Sequence, residues 1–507
     1  MAKVFYTMRH LLLALLCCLS LAVHAAPDPA LLRQLAAEES DEKIAAIQKL
    51  ALTASPEALA VLQQLADGSL KDDKGEEITI NNRVRRALEG ALAVLKLIDP
   101  DVSVRFAAVK EIASNVDAAM APMLAKARDR ETEPKIRALL VEAHALATLK
   151  DADPQLRIAA AKALAGSADP NTQAVLKAQS EPANEVETEV RRAAFQSYLA
   201  VKDRLTLAET LGRIFSGLSL GSILLLAALG LAITYGVMGV INMAHGELLM
   251  VGAYATYAIQ GVFRTHFPEQ LDWYLLAAVP VAFFAAAAIG VLLERTVIRW
   301  LYGRALETLL ATWGLSLMLI QAARVIFGAQ NVEVANPSWM SGGLEILPSI
   351  VLPLNRIVIV GFALFVLMLV WVLMNKTRLG MFVRAVTQNR AMAGCVGVPT
   401  GRIDTVAFAL GAGIAGLGGV ALSQIANVGP DMGQGYIVDS FMVVVLGGVG
   451  QLAGAVWAAL GLGIVTKFIE SWAGAVIAKI VVLVFIIMFI QKRPQGLFAL
   501  KGRFVES

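Results

Sequence analysis

Phe215–Ile241 reads FSGLSLGSILLLAALGLAITYGVMGVI, an apolar run with no charged side chain. As an α-helix it rises about 40 Å, more than the roughly 30 Å hydrocarbon core of a bilayer. Seven more apolar segments follow, at Leu248–Phe263, Trp273–Leu293, Leu306–Phe327, Ile357–Met374, Ile403–Ile425, Phe441–Phe468 and Ala475–Ile490. Backbone polar groups in lipid must be satisfied within each segment, and none of the eight shows the alternation of a membrane barrel, so all are read as helices. Hydrophobic residues make up 57% of the chain and charged residues 17%, and most of the charge precedes Ala208. The apolar excess therefore belongs to the second half, and the fold class predicted is all-α, with a polytopic membrane domain over 209–507.

The connections carry the topology. Arg295, Arg299 and Arg304 mark one as cytoplasmic and Lys376, Arg378, Arg384, Arg390 and Arg402 another, whereas Gly328–Asn355 and Ala426–Asp439 lack lysine and arginine. Lys492, Arg493, Lys501 and Arg503 place the C-terminus with the basic loops. At the N-terminus, Lys3 and Arg9 precede an apolar run, Leu11–Val23, and then Val23-His24-Ala25, which reads as a secretory signal over 1–25. An exported start and a cytoplasmic end require an odd number of crossings. Phe441–Phe468, broken by Gly447, Gly448, Gly450 and Gly454, is taken as double, for nine crossings instead of eight. The three cysteines form no disulfide framework, and a net charge of +3 does not suggest a nucleic-acid partner.

Residues 26–208 are predicted to form an exported helical domain. Val84-Arg85, Val104-Arg105, Ile136-Arg137, Leu156-Arg157 and Val190-Arg191 each open an alanine- and leucine-rich stretch. Asp-Pro at 99–100 and at 153–154 stands ahead of the two most similar copies, as suits a turn that starts a helix. The pattern is similar to HEAT-like α-solenoid repeats, with a plain helical bundle as the alternative. A polar stretch over 67–82 is read as a loop or short hairpin. No catalytic or metal-ligating constellation occurs here, and His144, alone on its helix, is read as structural.

In the membrane half, Asn242-Met243-Ala244-His245-Gly246-Glu247 places ionisable groups between two spans, where charge is costly unless paired or facing water. Two readings stand: a functional site at Asn242, His245 and Glu247, or Asn242 as a cap with His245 and Glu247 at headgroup level. Thr308, Thr312 and Ser316 share one helix face, either as helix glue or as the lining of a path for a neutral polar solute. Gly447, Gly448 and Gly450 are candidates for a gate beside the His245 and Glu247 pair. Gly411–Gly416 fits a dinucleotide fingerprint and Gly217–Gly221 a nucleophile elbow, but both lie inside spans and are read as packing glycines. No phosphate-binding P-loop is present, so any ATP-driven cycle needs a partner. Arg384–Val398 is a short amphipathic basic loop, closed by Gly397 and Pro399, able to dock on a soluble partner.

Four separated motifs carry a family resemblance: Gly217–Glu247, Arg384–Val398, Val445–Gly450 and Arg493-Pro494-Gln495-Gly496-Leu497. Together, over about 214–503, they resemble the permeases of the branched-chain amino-acid ABC importers. The exported extension and Phe327–Pro337 resemble the first permease subunit of the urea-transporter branch. The resemblance implies an inner-membrane permease without enzymatic activity or cofactor, working with a second permease subunit, two cytoplasmic ATPase subunits and a periplasmic binding protein. It also implies ATPase coupling through Arg384, Gln388, Asn389, Arg390 and Gly397, although Gln388–Ala391 lacks the glutamate common in the wider class. Urea is the leading substrate and branched-chain amino acids the near alternative. A receptor or scaffold is the alternative of another class, and a membrane enzyme is disfavoured because no nucleophile-base or metal-ligand set occurs.

Overall fold

The computed structural model describes residues 29–498 except 38, 54, 72–77, 79, 98, 115, 240, 348 and 349. The signal segment and the centre of the 67–82 stretch lie outside the described residues. Two compact units divide the chain, 1–206 and 207–507.

The first unit is built of helices α1 (Pro29–Leu35), α2 (Ser40–Thr53), α3 (Pro56–Ala66), α4 (Asn82–Lys96), α5 (Val102–Ser114), α6 (Ala121–Arg130), α7 (Pro134–Thr148), α8 (Pro154–Leu164) and α9 (Pro170–Gln179), plus the start of α10 (Thr188–Met238). Several starts are written in the sequence: Ser55, Asn81, Asp153 and Asp169 accept first-turn amides, and Pro56, Pro154 and Pro170 follow three of them at the first helical position. Leu62, Val84, Leu88, Val109, Leu124 and Leu140 are almost wholly buried in one core, and Leu164, Leu176, Ala194 and Val201 in a second.

One side-chain circuit recurs in this unit. Arg105 donates to the carbonyls of Asp99 (2.9 Å) and Pro100 (3.1 Å) and pairs with Glu131 at 3.0 Å. Arg157 does the same with Asp151 (2.8 Å), Ala152 (3.1 Å) and Glu185 (2.9 Å). The equivalent of Asp99 is thus Asp151, and that of Asp101 is Asp153. Asp101 and Asp153 accept from Ser103 N and Gln155 N, each at 2.8 Å. The circuit keeps the register in which Val104-Arg105 and Leu156-Arg157 correspond, and at that register the two Asp-Pro pairs are offset by two residues: the carbonyls that the arginine grips set the register, and proline can stand at either place in the turn. The Arg105 guanidinium also holds the Glu131 carboxyl below its ordinary range. Replacing Arg157 by alanine leaves the nearly buried Glu185 carboxylate without its ion partner and is expected to cost about 2 kcal/mol. Hydrogen exchange should show it as lost amide protection in α8 and α9. The exposed Arg192–Glu189 pair gives the control, with less than about 0.5 kcal/mol expected for Arg192→Ala.

The second unit holds the rest of α10, α11 (His245–His266), α12 (Tyr274–Thr296), α13 (Ala305–Phe327), α14 (Leu354–Lys376), α15 (Arg378–Gln388), α16 (Arg390–Cys395), α17 (Thr400–Ser423), α18 (Met432–Gly447), α19 (Leu452–Ala473) and α20 (Ala475–Lys492). Seven helices among the described residues are long and apolar enough to cross a membrane. The unit is that of a multi-pass membrane protein. α17 is its centre: every residue from Gly411 to Ser423 is buried. Gly411, Gly416 and Gly419 lie against the backbone of Gly230 on α10, Ala282 on α12 and Leu249 on α11, so the helices approach closely there, while Gly413 faces the Phe283 ring.

Two expectations change. Phe441–Phe468 is indeed divided, by the turn Gly448–Gln451, but the first piece is α18, which begins at Met432 inside the segment expected to be a loop. A 16-residue helix rises only about 24 Å, less than one full hydrocarbon core. The second change is a small antiparallel hairpin, β1 (Gly343–Leu347) with β2 (Ile350–Pro353), in a unit expected to be all helix. The β-branched residues Ile346, Ile350 and Val351 favour strand there, and Pro353 stands at its end, where no ladder donor is needed.

Candidate functional site

The turn between α10 and α11 folds inward. Asn242 Oδ1 accepts the Ala244 amide at 3.0 Å, a local bond that reverses the chain. This carries His245 to the first position of α11, where its Nε2 lies 3.0 Å from the Ala227 carbonyl of α10. A carbonyl only accepts, so Nε2 bears the proton and donates. Two residues on, Glu247 Oε1 accepts from Ser316 Oγ of α13 at 2.8 Å. One turn earlier on α13, Thr312 Oγ1 accepts the Met243 amide at 3.2 Å. Asn242, His245 and Glu247 are no more than 2% exposed, so all three side chains are enclosed by the protein.

The set is incompletely satisfied. Asn242 Nδ2, His245 Nδ1 and Glu247 Oε2 are buried without a hydrogen-bond partner. Orphaned polar atoms at such depth are expensive unless something else binds them. They offer one donor, one acceptor on the imidazole and one carboxylate oxygen, and among the described residues Glu247 has Ser316 and no lysine or arginine as its side-chain partner.

Two expected members stand elsewhere. Thr308 shares the α13 face but spends its hydroxyl on the Leu301 and Arg304 carbonyls, at 2.9 and 2.7 Å. The glycine break is not beside His245 and Glu247 either. Gly246 lies against Gly433 at the start of α18, and the break lies at the other end, fourteen residues or about 21 Å away. What covers the break is the C-terminal motif: Leu497 N donates to Leu446 O at 2.8 Å and Phe498 N to Gly447 O at 3.3 Å. Gly448 has φ 100°, and a Cβ there would lie 2.5 Å from the Phe498 carbonyl, so both conformation and space require glycine. Gly447 packs on Gly454 and Gly450 on Gly236. These glycines close a joint between α18, α19 and the C-terminal segment.

The basic loop is two short helices, α15 and α16, and it is anchored. Arg390 makes a bidentate pair with the buried Asp404 of α17, and its guanidinium stacks 4.1 Å over the Tyr302 ring. Arg384 donates to the Met374 carbonyl. Asn389 caps α16 by accepting from Met392 N at 3.0 Å, Gly397 ends it at φ 87°, and Gln388 is exposed. Arg390 is therefore not free for docking in the way a solvated basic loop would leave it. Its carboxylate partner lies fourteen residues away on another helix, and a charge reversal there would break a structural pair as well as any docking contact.

A second polar layer has no local signature in the sequence. Tyr274 Oη lies 2.8 Å from the Ala335 carbonyl and 3.2 Å from Gln424 Oε1, and Gln260 Nε2 donates to the same Ala335 carbonyl at 2.8 Å. Gln260 Oε1 and Tyr254 Oη are buried without partners. Single tyrosines and glutamines in apolar runs give no spacing to read; only the meeting of α11, α12, α17 and the 328–353 segment makes them a group.

Known proteins resemble the second unit over most of their own length. LivH, the high-affinity branched-chain amino acid transport system permease protein of Salmonella typhimurium, is 28% identical over 294 residues, 57% of this chain and 94% of its own. LivH of Escherichia coli is 29% identical over the same length and coverage. BraD of Pseudomonas aeruginosa, of the same description, is 28% identical over 293 residues, 57% of this chain and 95% of its own. No solved structure matches. The model of the family described as branched-chain amino acid transport system permease component matches residues 213–491, more than half of the chain and all but the ends of the helical unit just described, and the chain belongs to that family.

Proposed function

We propose that the chain is a permease subunit of a binding-protein-dependent ABC importer of the inner membrane and that its solute is urea. In this reading a second permease subunit completes the path, two cytoplasmic ATPase subunits drive it, and a periplasmic protein delivers the solute. The observation that carries the substrate is the buried set at Asn242, His245 and Glu247, with its unpartnered donor and acceptors. A small neutral amide carries both the donors and the acceptor that such atoms ask for. A zwitterion brings a carboxylate that asks for a cation or a helix N-terminus, and among the described residues Glu247 has no lysine or arginine as its side-chain partner.

Branched-chain amino acids are the second reading, favoured by the names of LivH and BraD. The first unit, over 26–208, is a periplasmic HEAT-like domain serving as a docking surface, a reading supported by the repeated arginine circuit. The complex reconstituted in vesicles decides between the substrates. ATP hydrolysis stimulated by binding protein with urea, and not with leucine, is the expected result. Stimulation by leucine alone would replace the substrate, and stimulation by neither would remove the importer reading.

A further inference from the structure

At the start of α17 a shallow cavity of about 500 Å³ is lined by Arg295, Arg299, Arg402, Thr400, Gly401 and Thr405, among others. Among the described residues no carboxylate lies within ion-pairing distance of Arg295, Arg299 or Arg402. The two acids on the same elements are engaged. Asp404 is held by Arg390, and Glu294, buried below the cavity, accepts from Thr405 Oγ1 at 2.8 Å. Three guanidinium groups face the cavity against the single carboxyl group of Glu294, so its lining is basic.

The backbone adds to this. Pro399 precedes the helix and no side chain caps it. The Arg402 and Ile403 amides bond to the Pro399 carbonyl, while those of Thr400 and Gly401 have no acceptor among the described residues. The Arg299 guanidinium lies against this first turn, since a Cβ on Gly401 would be 3.3 Å from its Nη2. Three unpaired guanidinium groups and two free amides facing one space suit a tetrahedral, multiply accepting anion.

The surroundings say which anion. Trp300 is 77% exposed and Leu292 59% exposed beside the arginines. An exposed tryptophan next to exposed leucine and arginine marks the edge of the hydrocarbon layer, where a phosphate arrives attached to acyl chains. We infer that this cavity binds the phosphate of an anionic phospholipid in the leaflet on the basic side of the membrane, with its chains against the Leu292 face of α12.

Native mass spectrometry of the full chain, titrated with phosphatidylglycerol or phosphatidylcholine, tests this. The wild type should retain phosphatidylglycerol and not phosphatidylcholine. The triple variant Arg295→Gln, Arg299→Gln, Arg402→Gln should lose it by about five-fold for each arginine removed. Arg378→Gln, an exposed arginine of the same basic connections outside the cavity, should retain it. If the triple variant is misfolded by size-exclusion profile, Gly401→Asp takes its place: it adds a carboxylate beside Arg299 without removing an arginine, and the same loss is expected. Equal retention by the variants, or equal binding of phosphatidylcholine, overturns the proposal. Displacement of the lipid by millimolar inorganic phosphate reassigns the site to free phosphate. Loss of a copurifying ATPase subunit with lipid retention unchanged reassigns it to an acidic protein surface.

Discussion

Gly252→Ala is expected to abolish the folded membrane unit. A Cβ at this position on α11 would meet the backbone of Gly416 on α17, 2.5 Å from its Cα and 2.6 Å from its carbonyl carbon. Backbone at the centre of a buried helix cannot yield as the tip of a side chain can. The helices must separate, and the neighbouring Gly419 contact with the Leu249 backbone opens with them. Overpacking in a close-packed core costs about 3 kcal/mol or more when nothing can move aside. Gly314→Ala on α13, where nothing lies within 4 Å, is the control and should be neutral or slightly stabilising. Expression level and a monodisperse size-exclusion peak read both. A well-folded Gly252→Ala protein would show that α11 and α17 are not in this contact.

The second large effect is expected at Glu247. Its carboxylate accepts from Ser316 and leaves a second oxygen free, and glutamine can donate its amide N–H to the Ser316 hydroxyl while keeping its one oxygen as the free acceptor and removing the charge. Transport by Glu247→Gln should stay within a few-fold of wild type. Glu247→Ala strands the buried Ser316 hydroxyl and removes the free acceptor, a loss of about 1–3 kcal/mol and hence roughly 5- to 150-fold in transport. The double replacement of His245 and Glu247 by alanine should be no better than the single. Normal transport by the alanine variants at equal expression would make these residues structural caps and end the site assignment.

Much of the membrane unit can be read from the chain alone, because hydropathy over some twenty residues and the need to satisfy backbone groups in lipid are local properties. They account for the helices, for the break at Gly448 and for the small-residue surface of α17. The same holds for the helix starts at Ser55, Asn81, Asp153 and Asp169, where the capping side chain sits beside the amides it serves. The start of α18 escaped because Gly433 and Gly435 weaken the helical signal, and Asp431, the N-cap residue before it, spends its carboxylate on Arg324 instead of capping, while Gly433 packs on Gly246.

What the tertiary structure alone decided is which polar groups share a space. Asn242, His245 and Glu247 are neighbours in sequence, but Ser316, which satisfies Glu247, is 69 residues away, and Tyr274 reaches Gln424 across 150. The helical stripe of Thr308, Thr312 and Ser316 was visible as a stripe. That its upper two members serve the inward turn while Thr308 serves its own connection depends on where α13 crosses α11. Arg390 was legible as a charge on the basic side, but not as the partner of Asp404. Sequence assigns each residue a local conformation and a side of its helix. The close approach of glycine-lined backbones then selects which sides meet, and in a low-dielectric interior that choice settles which polar atoms are paired and which are left unpaired.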